Sequence, residues 1–445
     1  MKKSIQIISV VLVLNIIMSI TAFAEPGFAY KDEVLEEFSP AWSQIQDDNT
    51  VISVTPGTEA GELRFAWLSS STDSNPSFKV SKNSNMTDAE EFEVITADAI
   101  ENLRSNKVTV TGLEQGKTYY YSYTENGTWS EAQPVTVQPA DKFTVLYISD
   151  AQIGRSGDET LEEILIRDTC GWNYTVEKML TAYPNAAFAI SGGDQFQSAD
   201  SLVQMKAYLS PEALRSLPVA NTIGNHDDYS TLYGEIFNNP NEVDELNPGE
   251  AGTGYYYTYG DALFITINSN NNLMFDTAKV LGEATKAYPD AKWRVVTMHH
   301  NPYSASLSDD DFSEERLFFS SLYDLYDIDL CLSGHDHFYS RTDTMYAGEI
   351  TDGEGTVYVQ SSSASGSNYD PLPESTASFT VSAFDVRVPT YTAFKFTDGV
   401  IVGTTYRTDT DEIIDSFEII DNTTDSDINF FTVIILFFKT LFSMI

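Results

Sequence analysis

Every one of the five histidines in this chain lies in one of three short segments, and each segment directly follows an apolar run that reads as a β-strand. The segments are GNHDD with His226, MHHNP with His299 and His300, and SGHDHFY with His335 and His337. Histidines used only for packing have no reason to avoid the rest of the chain. The fold therefore has to bring several strand ends to one edge. Two acidic strand ends complete the pattern, Asp150 in ISDAQ and Asp194 in SGGDQ. Imidazole and carboxylate donors on strand-end loops bind first-row transition metals, and a mixed nitrogen and oxygen set suits manganese, iron or zinc. Two ions need a shared ligand, which a carboxylate with two oxygens supplies, and Asp194 is assigned that bridge. A single strand-end Asp can simply cap a helix and a single His can simply be hydrogen-bonded. The ordered set is far harder to explain that way.

The 445 residues fit two folded units with tails, at roughly 100 to 200 residues per domain. From residue 45 to 138 short strand signals alternate with Gly, Asn and Ser clusters, at Leu63 to Leu68, Lys107 to Val110 and Thr118 to Tyr123. This predicts an all-β sandwich with Trp67, Tyr119 and Tyr121 in or near its core. The run Gln138, Pro139, Ala140 marks the boundary. From 142 to 405 apolar strands alternate with helices. The strands are Phe143 to Ile148, Ala186 to Ile190, Val219 to Ile223, Leu263 to Ile267 and Arg294 to Met298. The helices are Leu161 to Thr181, Ser201 to Tyr208 and Glu314 to Tyr326. Such alternation predicts an α/β layered domain with its site at the carboxyl ends of the strands.

Lys2 and Lys3, the apolar run Ile5 to Ile20 and the pattern Ala22, Phe23, Ala24 read as a secretory signal peptide over residues 1–24, which places the protein outside the cell or on its surface. At the other end, residues 428–445 are largely apolar, with Lys439 their one charged side chain. They read as a membrane anchor, a surface-lying helix or a packed terminal helix. The net charge of −41 makes nucleic acid and anionic membrane surfaces poor partners. A phosphorylated small-molecule substrate would need local positive charge, which bound metal supplies. With only Cys170 and Cys331, the fold does not rest on a disulfide framework, and both are expected as buried free thiols.

The order ISDAQ, SGGDQ, IGNHD, TMHHNPY, SGHDH resembles the motif set of calcineurin-like metallophosphoesterases. VISVTPG, LRFAW, VTVTGLEQGKTYYYSY and TWSEA are similar to the fibronectin-type sandwich that precedes the catalytic domain of purple acid phosphatases. The resemblance implies an α/β domain with a β-sandwich core flanked by helices, behind an all-β fibronectin-like sandwich. It implies Asp150, Asp194 and His337 on one metal, and Asp194, Asn225, His299 and His335 on the other. His299 is favoured over His300 because the family's ligand precedes a small or aromatic residue by four positions, here Tyr303. His226 would stabilise the transition state or protonate the leaving oxygen, with Asp227 orienting its ring. Arg341 resembles an arginine that follows the last motif. Two positions depart from the pattern. Gln197 stands where purple members carry the iron-binding tyrosine, and Gln152 stands where other members carry a histidine, leaving a neutral amide as a weaker ligand.

The implied reaction is hydrolysis of a phosphate monoester by water activated between two ions, Fe, Mn or Zn, about 3.5 to 4 Å apart. A phosphodiesterase or nucleotidase on the same centre, or a surface adhesion protein that keeps only the fold, are the alternatives.

Overall fold

The computed structural model describes residues 32–72, 75–157, 160–243, 253–270, 274–307 and 314–421. The segments read as a leader, 1–24, and as an apolar tail, 428–445, lie outside them. Among the described residues no helix is long and apolar enough to cross a membrane.

After a helix over Asp32–Ile45, the strands from Ile52 to Val137 form two antiparallel sheets that face each other. Their inward side chains form one core, including Phe65, Trp67, Phe78, Tyr121 and Tyr123. The Phe65 and Tyr121 rings stand 4.7 Å apart, and Trp67 donates its Nε1–H to the Thr124 carbonyl at 3.1 Å. Trp67, Tyr119 and Tyr121 are thus packing residues, as expected from the alternation.

The second unit is built on two further sheets. In the first, Val219–Asn221, Phe188–Ser191 and Phe143–Ile148 run parallel, followed by the antiparallel strands Thr390–Thr397, Val400–Arg407 and Ile413–Ile420. The domain therefore continues past the boundary read at 405. In the second sheet Ala262–Thr266, Trp293–Thr297, Leu330–Ser333 and Val357–Gln360 are parallel neighbours. The central strands are apolar throughout because both their faces are buried. Val145 and Tyr147 point into the core between the sheets, against Phe264, Val295 and Leu332. Leu146 and Ile148 point outward, under Trp172, Val176 and Met179 of the helix Leu161–Ala182. On the far side Val296 and Cys331 meet Val280, Leu281 and Phe319 from the helices Met274–Ala287 and Glu314–Leu325. The result is helix, sheet, sheet, helix, and every parallel strand delivers its carboxyl end to the same rim.

The helix Leu161–Ala182 begins where Thr160 and Glu163 cap each other reciprocally. Cys170 and Cys331 are buried and free. Arg341 is not at the rim. It forms a two-point ion pair with Asp415, Nε to Oδ2 at 2.7 Å and an Nη2 to Oδ1 bond at 3.2 Å, and so ties the strand Tyr339–Thr342 of the second sheet to the edge strand Ile413–Ile420 of the first. Its role in the described structure is architectural.

At the opposite rim, around the starts of Trp293–Thr297 and Leu330–Ser333, lies a cleft lined by Asp290, Asp324, Asp327, Asp329 and Glu354. Burial pushes the Asp324 carboxyl up to about 7, against the bond from the Ala347 N–H, and the Asp327 and Glu354 charges add to the rise. A carboxyl raised by folding stabilises the fold below its unfolded pKa, and that contribution is lost as pH rises through about 7. Asp324→Asn removes the buried charge and keeps an acceptor for Ala347. Its thermal midpoint should exceed that of the parent by a margin that widens between about pH 5 and pH 8 in scanning calorimetry. An equal margin at both ends would contradict this assignment.

Candidate metal centre

Asp150 and Asp194 follow the neighbouring parallel strands Phe143–Ile148 and Phe188–Ser191. Both carboxylates are buried, at 0% and 1% exposure, where an uncompensated charge is costly. Both residues adopt left-handed backbone, with φ of 52° and 51°, and so do His335 at 79° and His337 at 55°. Non-glycine residues rarely sit there, and strained backbone of this kind concentrates at functional sites.

The donors gather in two groups of three, Asp150 with Asp194 and His337, and His299 with His300 and His335, each within 4.8 Å. His337 Nε2 lies 3.2 Å from Asp150 Oδ1. His299 Nε2 lies 3.3 Å from Asp194 Oδ2 and 3.1 Å from Asn225 Oδ1. Asp194 thus touches both groups, the position a bridging ligand requires. The His299 Nδ1 proton is donated to the Gly192 carbonyl at 2.9 Å, since a carbonyl only accepts. That fixes the ring so that Nε2 faces the carboxylate, the tautomer a metal ligand needs. The Asn368 side-chain amide lies 2.9 Å from His337 Nδ1 and holds that ring in turn. Burial disfavours a charged imidazole at both sites. The adjacent carboxylates outweigh it, raising His299 to about 10 through Asp194 and raising His337 through Asp150. The same carboxylates that favour positive charge on these rings would favour a bound cation.

The residues fit a metal on further grounds. Gln152 is 2% exposed, its N–H is donated to the Asp194 carbonyl at 2.7 Å, and its side-chain Oε1 is buried without a hydrogen-bond partner. Leaving such an oxygen unpaired costs about 1 to 3 kcal/mol, which a cation would offset. A Cβ on Gly224 would stand 2.1 Å from Asp194 Oδ1, and one on Gly334 would stand 2.2 Å from Asp150 Oδ2. The glycines of GNHDD and SGHDHFY therefore make room for the carboxylates.

His226 is half-buried beside the metal donors. Its backbone N–H is donated to Asp194 Oδ1 at 2.8 Å, and its ring Nδ1 lies 3.1 Å from the Gln197 carbonyl. That carbonyl orients the ring, whereas Asp227 does not. The Asp227 carboxylate is fully buried and accepts backbone N–H bonds from Gln195 at 2.9 Å, Phe196 at 3.1 Å and Gly224 at 2.8 Å. It pins the Asp194 loop to the Asn225 loop. Burial, then the Asp194 charge, raises it to about 8. Asp227 was expected to orient His226; in the structure the ring's Nδ1 faces the Gln197 carbonyl, and the bonds of Asp227 go to the main chain. Sequence reasoning also missed Asn368 and the serines beside it. Ser363 donates to the Asp150 carbonyl at 2.9 Å and Ser365 donates to that of Ala151. The run SSSASGSN could have flagged that loop only as small and polar.

Residues 143–339 match the family model of calcineurin-like phosphoesterases. The purple acid phosphatase PPD1 of yellow lupin shares the fold, with a TM-score of 0.65 over 83% of this chain and 74% of its own, at 15% identity. PhoD aligns with a TM-score of 0.56 over 95% of this chain and 99% of its own, at 12% identity. No curated protein matches the sequence.

Because the Gly224 Cα faces Asp194 at a distance that admits no methyl group, Gly224→Ala should displace the carboxylate while leaving the layers intact. Metal affinity is expected to fall about 10- to 100-fold, measured by calorimetric titration of the stripped protein with Mn²⁺ or Zn²⁺. Unchanged affinity would show that Asp194 is not a ligand.

Proposed function

We propose that this chain, whose residues 143–339 form a calcineurin-like phosphoesterase domain, is an exported, metal-dependent hydrolase of phosphate monoesters. The observation that carries the proposal is the meeting of carboxylates and imidazoles in two adjoining groups, with Asp150, Asp194, His299 and His337 buried. Asp150, Asp194 and His337, with Gln152 beside them, would hold one cation, and Asp194, Asn225, His299 and His335 a second. When bound, such ions supply the positive charge and Lewis acidity that let a phosphoryl group accept an incoming water. Gln197 in place of a tyrosine supports a centre without the purple colour. The leader read at residues 1–24 supports export, and the sandwich motifs support a fibronectin-like unit in front of the enzyme.

The chain's own part in the chemistry falls to His226. With the Nδ1 proton resting on the Gln197 carbonyl at 3.1 Å, Nε2 is the atom free to hold a proton for the departing oxygen. The link from its backbone to Asp194 keeps the ring in register with the metal donors. In such a site a general acid matters most when the leaving alkoxide is strongly basic.

Chelation should abolish turnover and divalent metal restore it, and Asp194→Ala should lose both ions. His226→Ala should keep its metal and slow an alkyl phosphate about 10²- to 10⁴-fold, but a nitrophenyl phosphate far less. Equal losses on both substrates would assign His226 to phosphoryl-oxygen contact instead. Full turnover with two metals in Asp194→Ala would sink the proposal. Faster turnover of a diester or nucleotide than of any monoester would replace its monoester part.

A further inference from the structure

His300 belongs geometrically to the imidazole group. Its ring centroid lies 4.4 Å from that of His335 and 5.1 Å from that of His299, and a nitrogen of each ring falls within 4.8 Å of the others. Three imidazoles so placed look like a third ligand set, and proximity alone would make His300 a metal ligand. The buried hydroxyl of Ser269 decides otherwise. Its Oγ accepts the backbone N–H of His299 at 3.2 Å and that of His300 at 3.1 Å, and also lies 2.8 Å from His300 Nδ1. A hydroxyl has two lone pairs and one hydrogen. The two N–H groups take both lone pairs, so the contact to Nδ1 has to use the hydrogen. Nδ1 is thereby an acceptor, and the proton of the neutral ring sits on Nε2. Neither nitrogen then offers a lone pair to a cation, and the half-buried ring ends in a fixed N–H donor beside His299 and His335.

We propose that His300 donates its Nε2–H to a phosphoryl oxygen of the substrate and of the product phosphate, and that Ser269 is the residue that holds it in the donating tautomer. The proposal rests on the phosphoesterase reading above and adds to it a substrate contact outside the metal ligands. The ligand it recognises is a tetrahedral phosphate oxyanion, whose oxygens accept and cannot donate when ionised. A donor already fixed by the fold needs no reorganisation as charge develops on that oxygen.

The test uses full-length, zinc-loaded protein with His300→Leu, His300→Gln and Ser269→Ala, read by metal content, binding of inorganic phosphate and kcat/KM. A hydrogen bond to a charged group is worth about 1.5 to 3 kcal/mol. His300→Leu is therefore expected to weaken phosphate binding and lower kcat/KM, each about 10- to 100-fold, with metal content unchanged. His300→Gln, whose amide can still donate, should recover most of the loss. Ser269→Ala should fall between, and the ¹⁵N spectrum of its His300 ring should change from one Nε2–H tautomer to a mixture. Loss of metal from His300→Leu would make it a ligand and overturn the proposal, as would unchanged phosphate binding. A parent protein that binds neither phosphate nor any phosphoester would fail the phosphoesterase reading first. The ring spectrum separates the two failures, because an Nδ1–H tautomer in the parent protein overturns the assignment of His300 whatever the substrate.

Discussion

Two buried carboxylates just past the ends of adjacent parallel strands, each on left-handed backbone, set the terms for the rest of this protein. Asp150 and Asp194 have almost no exposure, so their charge has to be met from within. The imidazoles of His337 and His299 meet it directly at 3.2 and 3.3 Å. The remaining features follow from holding those four groups together. Glycines at 224 and 334 leave space where a methyl would collide. Asp227 locks the two loops that carry Asp194 and Asn225. The Gly192 carbonyl and the Asn368 amide aim the rings. A protein with net charge −41 repels anions at long range, so on the function proposed above the affinity for a phosphate would have to be created locally. A cation held by this donor set would supply it.

The all-β unit contributes to the same centre from behind. Asn238 donates to the carbonyls of Phe65 at 3.3 Å and Val108 at 2.9 Å, and Ser105 donates to the Glu235 carbonyl at 2.6 Å. These bonds clamp the helix Leu232–Ile236 and the turn after it, which follow the Asn225 and His226 loop. Tyr121, a core residue of the sandwich, donates to the Arg215 carbonyl at 2.9 Å. The sandwich is therefore a buttress for one ligand loop as well as a separate fold. Precise placement of donors depends on such support.

Much of this was legible in the sequence because the central strands are buried on both faces. Phe143–Ile148 is apolar along its length apart from Thr144, and its observed limits are those read from the pattern. Leu161–Ala182 and Glu314–Leu325 also fall within a residue of their expected ends. The antiparallel strands Thr390–Thr397, Val400–Arg407 and Ile413–Ile420 were not read individually, since each mixes polar with apolar residues. The helix Met274–Ala287 was missed where its pattern is interrupted by Gly282. Which residues converge could be read from motif order, but not what holds them. The partners of His226, His337 and Asp227 are main-chain groups or residues far along the chain, and no local spacing reports them. Arg341 shows the converse, a motif-adjacent arginine whose partner Asp415 makes it part of the frame.

The most direct measurement is diffraction from crystals of the metal-loaded protein, collected at the absorption edge of the added metal. Two anomalous peaks are expected, one against Asp150 and His337, the other against Asn225, His299 and His335, with Asp194 in contact with both. A single peak, or two peaks that Asp194 does not join, would contradict the account.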